Sequence, residues 1–460
     1  MKICIHRGTS EIGGTCIEIV AGQAAEPAVE QVHAQGYERK CQHQEKQEHE
    51  RAAQHESRQA ADGAFVPGRL ILDMGTPLVA QEGAEASLPD ITGLTCLDES
   101  LKGIIISHGH RDHWGLLPKV TSKVPLIFGE ATQRILAAAA PFMRNRDHPR
   151  ATHYLRDRET ITLPPFAITP FLIDHSAFDA YALLVEADGK RLFYTGDFRL
   201  HGRKHALVEK LMASPPQDID LLLIEGTSLG RVDDEAQFPS ETDIEMMACT
   251  RFRATHGIAL VAASPQNVDR IVTIYRAARR SRRALVLDPY ATAILAATGR
   301  SSIPGPRPDW PNVRFWLPKQ SERYLARKDI AAIVAAASEN RIETGEIAAN
   351  PGKFVLLFRA NMFDELAAAG ALDGAFLFWS QWRGYLENNS TARLQAACAE
   401  HAIAIESLHT SGHASPRDLQ KLAKALSPRK VVPVHTEAPA QYARLMENVH
   451  LARDGEWFAI

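Results

Sequence analysis

The chain has 460 residues, of which 45% are hydrophobic and 23% are charged, and its formal net charge at pH 7 is −3. This length and apolar content allow two or three domains with proper cores. The near-neutral charge excludes a global basic field, so a nucleic acid or an anionic membrane would have to be held by local patches.

Two absences bear on location. No run approaches 18 uninterrupted apolar residues, so a membrane span is not expected. The six cysteines are dispersed without a CxxC pair, and the first residues lack the apolar core of a signal peptide. The sequence therefore predicts a cytoplasmic protein.

Short apolar runs alternate with helical patterns along the chain, which predicts a layered α/β architecture. The predicted strands are RLILDMG (69–75), GIIIS (103–107), RLFYTGD (191–197), DLLLIEGT (220–227), IALVAAS (258–264), ALVLD (284–288), KFVLLF (353–358) and KVVPVH (430–435). Residues 22–64 break this rhythm, because they are polar and nearly lack large apolar side chains. We expect them to form a flexible or solvated-helical insertion in an early hairpin.

The stretch SHGHRDH, residues 107–113, directly follows a predicted strand. His108 and His110 are two residues apart, so their imidazoles can project to the same side of an extended or turning backbone. Asp112 and His113 follow where a helix could begin. A mixed imidazole and carboxylate set suits zinc or another borderline divalent ion, and two pairs of ligands suit two adjacent ions. The alternative is a chance gathering of histidines on a polar loop, which four such residues after a buried strand make improbable.

Other ligand-type residues also stand at the ends of predicted strands. His175 follows the apolar run FLI, Asp197 ends RLFYTGD, and His435 ends KVVPVH. Asp197 is preceded by a glycine and could bridge two ions. Together with the histidine-rich stretch, these residues predict one metal centre at the carboxyl ends of several strands.

This order of motifs resembles the metallo-β-lactamase fold, a four-layer αββα sandwich with a metal centre at one sheet edge. Asp73 in LDMG resembles the first motif of that family, an aspartate that supports the metal loop. Glu225 in LLLIEGTSLG, His413 in HTSGHASPRDL and His435 in PVHTE resemble the A, B and C motifs of the β-CASP group, the nucleic-acid-processing branch that includes the ribonuclease J family.

The resemblance implies a metallo-β-lactamase domain in two parts, residues 1–232 and 407–460, interrupted by an inserted β-CASP-like α/β domain over 233–406. SPQNVDRIVTIYRAARRSRRALVLD resembles the first βαβ unit of that inserted domain.

The resemblance also implies roles for individual residues. One ion would be held by His108, His110 and His175. A second would be held by Asp112, His113 and His435, with Asp197 as the bridge. The residues expected to take part in catalysis are Asp112, His413 and Glu225. Those expected to contact substrate are Ser264, Asn267, Arg270, Arg359 and Ser411.

Within this scheme His413 would stabilise charge or donate a proton at the scissile phosphate, and Glu225 would orient His413 or a neighbouring group. The alternative for Glu225 is a carboxylate whose hydrogen bonds are simply satisfied at a turn.

The function that the resemblance implies is a two-zinc phosphodiesterase that cleaves RNA through a metal-bridging hydroxide, with manganese as an alternative metal and single-stranded DNA as an alternative substrate. The alternative hypothesis is that the protein hydrolyses a small ester or amide, or that it binds metal without turnover. A large inserted domain favours a polymer substrate. A homodimer is a further expectation.

Two segments depart from the family pattern. KFVLLF continues as RANMFDELAAAG, where ribonuclease J members carry a Gly/Ser-rich phosphate-holding loop, so exonuclease action from a 5′ monophosphate is left open. The segment FWSQWRGYLENNS replaces a Pro/Gly-containing segment. Its aromatic residues Trp379, Trp382 and Tyr385 could stack bases, or, as is more frequent, pack a domain junction.

Overall fold

The computed structural model describes residues 1–22, 67–78, 86–143, 147–325, 328–387 and 389–460. Apart from Gly22, the predicted insertion at 22–64 lies outside the described residues.

The described elements form three sheets with helices packed on them. The strands are β1 Lys2–Arg7, β2 Cys16–Ala21, β3 Gly68–Leu72, β4 Leu101–Ile105, β5 Leu126–Gly129, β6 His153–Leu155, β7 Ile161–Leu163, β8 Phe166–Ile173, β9 Ala180–Ala187, β10 Lys190–Tyr194, β11 Leu221–Glu225, β12 Ala259–Ala262, β13 Ala284–Leu287, β14 Val313–Trp316, β15 Arg341–Ile342, β16 Phe354–Leu357, β17 Phe376–Trp379, β18 Ala404–Ser407, β19 Lys430–Val434 and β20 Trp457–Ala459. The α-helices are α1 Arg111–Trp114, α2 Glu130–Ala139, α3 His205–Ala213, α4 Glu241–Ala254, α5 Val268–Arg280, α6 Pro289–Ala297, α7 Lys319–Leu325, α8 Lys328–Ala336, α9 Thr344–Ala349, α10 Phe363–Ala368, α11 Arg383–Leu386, α12 Ala392–Glu400, α13 Pro416–Leu426 and α14 Tyr442–Leu445. Each of the runs predicted as strands in the sequence overlaps one of these strands.

Two sheets form the sandwich. The first has the strand order β20-β1-β2-β3-β4-β5-β6 and the second β19-β11-β10-β9-β8-β7. Their inner faces share one core, in which Ile17 and Leu70 of the first sheet lie with Leu183 and Leu221 of the second. Because alternate residues of a strand point to opposite faces, the outer faces also carry apolar side chains that helices must cover.

Helices cover both outer faces of the sandwich. Trp114 of α1 and Leu136 of α2 pack with Ile104 on the first sheet. On the second sheet, α3 and α13 pack over the strands, with Val208 and Leu419 in the same cluster as Phe193. The four layers α, β, β and α confirm the predicted metallo-β-lactamase sandwich.

The third sheet has the order β15-β14-β13-β16-β12-β17-β18, and every neighbouring pair in it is parallel. Apolar clusters on both faces pack against helices, α4, α5 and α6 on one side and α9, α10 and α12 on the other. This sheet is the predicted inserted α/β unit, and β12, α5 and β13 form its predicted βαβ unit. The limits 1–232, 233–406 and 407–460 of the domains stay predictions.

The third sheet and the sandwich are in contact through helices α6 and α2. Ile135 of α2 belongs to the same apolar cluster as Ile294 of α6, and the Arg134 side chain donates to the Ala297 carbonyl at 2.9 Å. Among the helices in the described parts of the chain, none is long and apolar enough to cross a membrane.

Candidate metal centre

The histidine-rich stretch follows β4, where the chain turns into the short helix α1. The turn is pinned to the loop after β3, because Met74 N donates to the His113 carbonyl at 2.7 Å. Gly75 allows this close approach, since a Cβ atom there would overlap the carbonyl oxygen of Asp112. The LDMG motif therefore shapes the loop that carries the histidines.

The first group of ligand atoms consists of three imidazole nitrogens. His110 Nδ1 lies 3.1 Å from His108 Nε2 and 3.0 Å from His175 Nε2. His175 comes from the segment after β8, so the fold brings together residues that are 65 positions apart. These are the three residues predicted to hold one ion.

The second group contains Asp112, His113, Asp197 and His435, whose ligand atoms lie within 4.8 Å of one another. His113 Nε2 is 3.1 Å from Asp197 Oδ2, and His435 Nε2 is 3.2 Å from Asp112 Oδ2. The same Asp197 oxygen lies 3.7 Å from His108 Nε2 in the first group. Asp197 therefore stands between the two groups, as the sequence predicted for a bridging carboxylate.

Hydrogen bonds at the far side of the rings fix which nitrogen is free. His175 Nδ1 donates to the Gly412 carbonyl at 2.6 Å, and His113 Nδ1 donates to Asp73 Oδ2 at 2.8 Å. His435 Nδ1 faces the Thr227 hydroxyl at 2.9 Å. In His175 and His113 the Nε2 lone pair then points into the centre, which is the tautomer that a metal ligand needs, whereas the hydroxyl contact of His435 Nδ1 allows either tautomer.

Asp73 anchors this outer set of contacts. Besides His113, it accepts hydrogen bonds from the backbone N–H and the hydroxyl of Ser107, at 2.7 and 2.8 Å, and from the Tyr194 hydroxyl at 2.6 Å. Its carboxylate is fully buried. Asp73 therefore supports the loop, as its resemblance to the first motif implied.

The donor set fits a borderline divalent cation. Lone pairs of three imidazoles face one another in the first group, and in the second two carboxylates converge on imidazole nitrogens, an arrangement that a cation stabilises. Asp197 Oδ1 is buried without a hydrogen-bond partner in the described part of the chain, and such an atom is costly unless something binds it. Burial lowers the pKa of His110 to about 4, so that ring is neutral and able to bind metal.

Two residues of this centre hold an unusual backbone conformation. Asp73 has φ of 59° and His435 has φ of 52°, in the left-handed region that side chains with a Cβ atom rarely adopt. Such strain is held in place by surrounding contacts: His435 N donates to the Gly8 carbonyl at 2.7 Å, and Asp73 N donates to the Ile105 carbonyl at 2.8 Å.

His413 lies beside the second group, on the loop between β18 and α13. Its ring stacks on that of His435, with 5.7 Å between centroids, and its Nδ1 lies 3.4 Å from Glu225 Oε1 and 3.7 Å from Asp197 Oδ2. Burial opposes its protonation, but the carboxylates of Glu225 and Asp197 raise the pKa of His413 to about 9. In the metal-free protein these carboxylates therefore favour the protonated imidazole of His413.

Glu225 is a carboxylate whose oxygens accept hydrogen bonds from three backbone N–H groups, and its role in orienting His413 stays a prediction. Oε1 accepts from the backbone N–H groups of Phe198 and Ala414, both at 3.3 Å, and Oε2 accepts from Thr227 N at 3.0 Å. The carboxylate is thus anchored at a turn, and the same anchoring aims Oε1 at His413.

Two known protein families match this chain. The Beta-lactamase superfamily domain matches residues 69–256, and the Zn-dependent metallo-hydrolase RNA specificity domain matches residues 401–451. The first match contains the histidine-rich stretch, and the second contains His413 and His435. The chain has a metallo-β-lactamase fold with β-CASP architecture, and it is similar to ribonuclease J.

Several relatives of this β-CASP protein are ribonucleases J. Ribonuclease J of Sinorhizobium meliloti is 23% identical over 392 residues, which is 80% of this chain and 64% of the relative. That of Mycobacterium tuberculosis is 24% identical over the same shares. Ribonuclease J 2 of Streptococcus pyogenes is 22% identical over 84% of this chain and 70% of its own length. The chain thus spans about two thirds of the first relatives it matches, 64% in both cases.

One solved structure has the same fold over the whole length. A crystal structure of a protein of unknown function from Enterococcus faecalis V583 superposes with a TM-score of 0.74 at 19% identity, and the match covers 100% of this chain and 99% of that one.

The residues predicted to contact substrate differ in how accessible the fold leaves them. Arg270 is fully buried, where its guanidinium donates to Glu241 at 2.9 and 3.1 Å and to the Leu408 carbonyl at 3.2 Å. All three guanidinium nitrogens thus bind partners inside the fold, and the structure places Arg270 in the packing of the third sheet. The Asn267 side chain accepts from Arg270 N at 3.1 Å and caps α5, and its contact with substrate stays a prediction.

The other three stay predictions. Ser264 is exposed in the loop after β12. Arg359 is 28% exposed, pairs with Asp288 and lies over the Tyr290 ring. The Ser411 hydroxyl accepts from His413 N at 3.0 Å, which gives it a part in shaping the loop of His413.

Sequence reasoning missed several residues around the centre. Arg199 and His201 both donate to the Ser411 carbonyl, at 3.2 and 2.8 Å, and the Thr227 hydroxyl contacts His435. Gln266 lines a small cavity together with His110. Only the position of Arg199 and His201 directly after the TGD motif could have drawn attention to them, because their partners lie more than 200 residues away in the chain.

Proposed function

We propose that this protein is a metal-dependent phosphodiesterase that cleaves RNA at a centre of two zinc ions. The observation that supports it is the arrangement of two ligand groups around one carboxylate: Asp197 Oδ2 lies 3.1 Å from His113 Nε2 and 3.7 Å from His108 Nε2. When bound, the ions would supply Lewis acidity and lower the pKa of a water molecule enough for attack at a phosphodiester.

The residues of the chain have distinct parts in this proposal. The first ion is assigned to His108, His110 and His175, and the second to Asp112, His113 and His435, with Asp197 shared. Their backing contacts, such as Asp73 to His113, hold the rings in the metal-binding tautomer.

His413 is the side chain that would meet the phosphate group of the substrate. Its imidazole is 21% exposed and lies between the buried carboxylates and the outside, so a phosphodiester over the second group would meet it. We assign it to stabilising the developing negative charge or protonating the leaving oxygen. Glu225 is assigned to holding His413, through the 3.4 Å approach of its Oε1.

An RNA substrate is supported by the family comparisons. The residues from 401 to 451 match a domain described as an RNA specificity domain, and relatives that match 80% of the chain are ribonucleases J. The parallel third sheet adds a second argument, because its carboxyl edge runs into the loop of His413 through β18. Single-stranded DNA as a second substrate, a homodimer and a cytoplasmic location remain predictions from the sequence.

The test is cleavage of end-labelled single-stranded RNA and DNA, carrying either a 5′ phosphate or a 5′ hydroxyl, by protein loaded with zinc or manganese. We expect RNA cleavage that needs metal and that disappears in the double variant Asp112→Ala/His113→Ala. His153→Ala, which changes an exposed histidine on β6, is the matched control. The dependence on the 5′ end separates exonuclease from endonuclease action.

A wild-type protein that holds two metal ions yet cleaves no polymer would contradict the proposal. Hydrolysis of small esters or amides by that same preparation would then identify the alternative activity.

A further inference from the structure

Two exposed aromatic side chains, Trp382 and Tyr385, follow β17 of the third sheet. Trp382 is 55% exposed and Tyr385 is 52% exposed, whereas Trp379 is 6% exposed and belongs to the apolar core of the sheet. Packing within the core of the third sheet therefore explains Trp379 but not the other two. Two neighbouring exposed aromatic side chains form an apolar patch, and such patches mark binding sites more often than isolated apolar residues do.

The exposed pair is held in a defined geometry by its own backbone. The Trp379 indole N–H donates to the Trp382 carbonyl at 3.2 Å, and Tyr385 N donates to the same carbonyl at 3.1 Å. The Trp382 ring lies directly over Gly384, where a Cβ atom would overlap the ring. The Tyr385 ring meets it edge-on, with 5.4 Å between centroids and 89° between planes.

The topology places this pair at the edge of the third sheet that faces the metal centre. All strands of this sheet are parallel, so their carboxyl ends share one edge, and β17 lies between β12 and β18. The loop after β12 contributes Gln266 to the cavity that His110 also lines. The segment after β18 leads to His413.

A direct contact links the segment of the aromatic pair to the loop of His413. The Ser380 hydroxyl, two residues before Trp382, donates to the Leu408 carbonyl, and the buried Arg270 guanidinium binds both residues. Trp382 and Tyr385 thus lie outside the metal centre, at the carboxyl edge of the third sheet that also leads to His413. An RNA molecule that extends from the metal centre along this edge would meet them.

We propose that Trp382 and Tyr385 form a stacking platform for unpaired nucleobases of the RNA strand, outside the metal centre. This inference rests on the proposed function. A flat aromatic ring stacks any base, because every base has a π face, so the platform adds affinity without adding sequence preference.

The charges near the pair indicate that stacking, rather than phosphate attraction, provides this contact. Arg383 lies between the two aromatic residues in the chain and is 82% exposed, but its guanidinium pairs with Glu387 at 3.1 Å. Binding at this platform should therefore depend weakly on salt, whereas contacts to phosphates lose affinity steeply as salt rises.

The experiment measures binding of a short fluorescent single-stranded oligoribonucleotide by anisotropy, together with cleavage of the same RNA. We expect Trp382→Ala to weaken binding about 5- to 150-fold, which corresponds to the loss of one stacked base, with similar salt dependence to the wild type. Trp382→Phe should restore most of the affinity. Gly384→Ala should weaken binding without removing any aromatic side chain, because it displaces the Trp382 ring.

Two controls make the result specific. Trp457→Ala removes another exposed tryptophan, which is 48% exposed on β20 of the sandwich, and should leave RNA binding unchanged. Hydrolysis of bis(p-nitrophenyl) phosphate, which lacks nucleobases, should proceed at the same rate in wild-type protein and in Trp382→Ala.

The outcomes separate this inference from the proposed function. If RNA is cleaved but Trp382→Ala binds and cleaves it like Trp457→Ala, the platform is overturned and the nuclease stands. If no RNA is cleaved but binding depends on Trp382, the platform stands and the proposed activity falls. Wild-type protein that binds no single-stranded RNA would overturn the platform outright.

Discussion

The guanidinium of Arg199 donates to Asp269 of α5 at 2.8 Å, which joins the metal-bearing sandwich to the third sheet. The same fully buried guanidinium donates to the Ser411 carbonyl at 3.2 Å, two residues before His413, and pairs with Asp174, the residue before His175. One side chain therefore contacts both sheet systems and the backbone beside two site residues.

We predict that Arg199→Met destabilises the protein by about 3–5 kcal/mol, because it leaves Asp174 and Asp269 buried without their cationic partner. Arg199→Lys should recover only part of this, since one ammonium cannot reproduce a forked guanidinium. Denaturant unfolding measures both. A double-mutant cycle with Asp269→Asn should give a coupling free energy clearly different from zero, and strict additivity would contradict the link.

The assignment of two ions predicts separable losses of metal. His110→Ala should abolish one bound ion and Asp112→Ala/His113→Ala the other, so each variant should retain about half of the wild-type metal content measured by elemental analysis. RNA cleavage should fall by roughly 1,000-fold or more in both, since metal ions supply several kcal/mol of transition-state stabilisation. Full metal content in either variant would refute the corresponding ligand set.

Asp73 is predicted to control metal affinity without touching the metal. Asp73→Asn replaces a carboxylate that accepts from His113, Ser107 and Tyr194, and we expect it to weaken zinc binding about 10- to 100-fold. Competition with a chelator measures the affinity. The matched control is Asp98→Asn, which removes a carboxylate that lies in the loop before β4 and pairs with Arg69 at 3.0 Å. Equal affinities in the two variants would remove Asp73 from this role.

The pH dependence of stability should report on Glu241, which pairs with Arg270 at 2.9 Å. Burial alone would raise the pKa of Glu241, but the Arg270 and Arg199 guanidinium groups lower it from 4.5 to about 2. Because the folded-state pKa lies below the unfolded value, this carboxylate stabilises the fold above about pH 4.5, and the contribution is lost as the pH falls towards 2.

Metal-free wild-type protein should accordingly be about 3 kcal/mol more stable than metal-free Glu241→Gln at pH 7, and the difference should shrink steadily between pH 4.5 and 2. Urea unfolding at a series of pH values gives the curve. Glu339→Gln, at an exposed position, is the control and should show no such change. A difference that stays constant with pH would show that Glu241 acts through shape alone.

The candidate metal loop could be predicted from the sequence because its candidate ligands lie close together in the chain and follow a recognisable strand. His108, His110, Asp112 and His113 fall within six consecutive positions after β4, and the structure brings them to the remaining residues of the predicted set. The strand segments were predictable for a similar reason, since apolar runs of this length bounded by turn residues are typical of buried strands. The order of strands in the third sheet depends on how crossovers pack, which no local pattern encodes.

Arg270 shows where such reasoning stops. It stands in a motif that resembles the first βαβ unit of the inserted domain, but its side chain binds partners from distant parts of the chain. Arg270 binds Glu241, 29 positions away, and Leu408, 138 positions away. A buried ion pair of this kind is invisible in sequence because either partner alone resembles a surface charge. Trp382 and Trp379 make the same point, since only the fold separates the exposed ring from the buried one.

The left-handed backbone of Asp73 and His435 has a consequence for how this protein can change over time. Replacement of either residue by glycine would relax the main chain, yet it would remove a proposed metal ligand or the carboxylate that supports one. At these two positions the backbone conformation therefore favours glycine, whereas metal binding needs the aspartate and histidine side chains. A lineage that no longer needed the reaction should lose its aspartate and histidine there early, and the two positions would serve as a molecular record of whether the metal centre is still under selection.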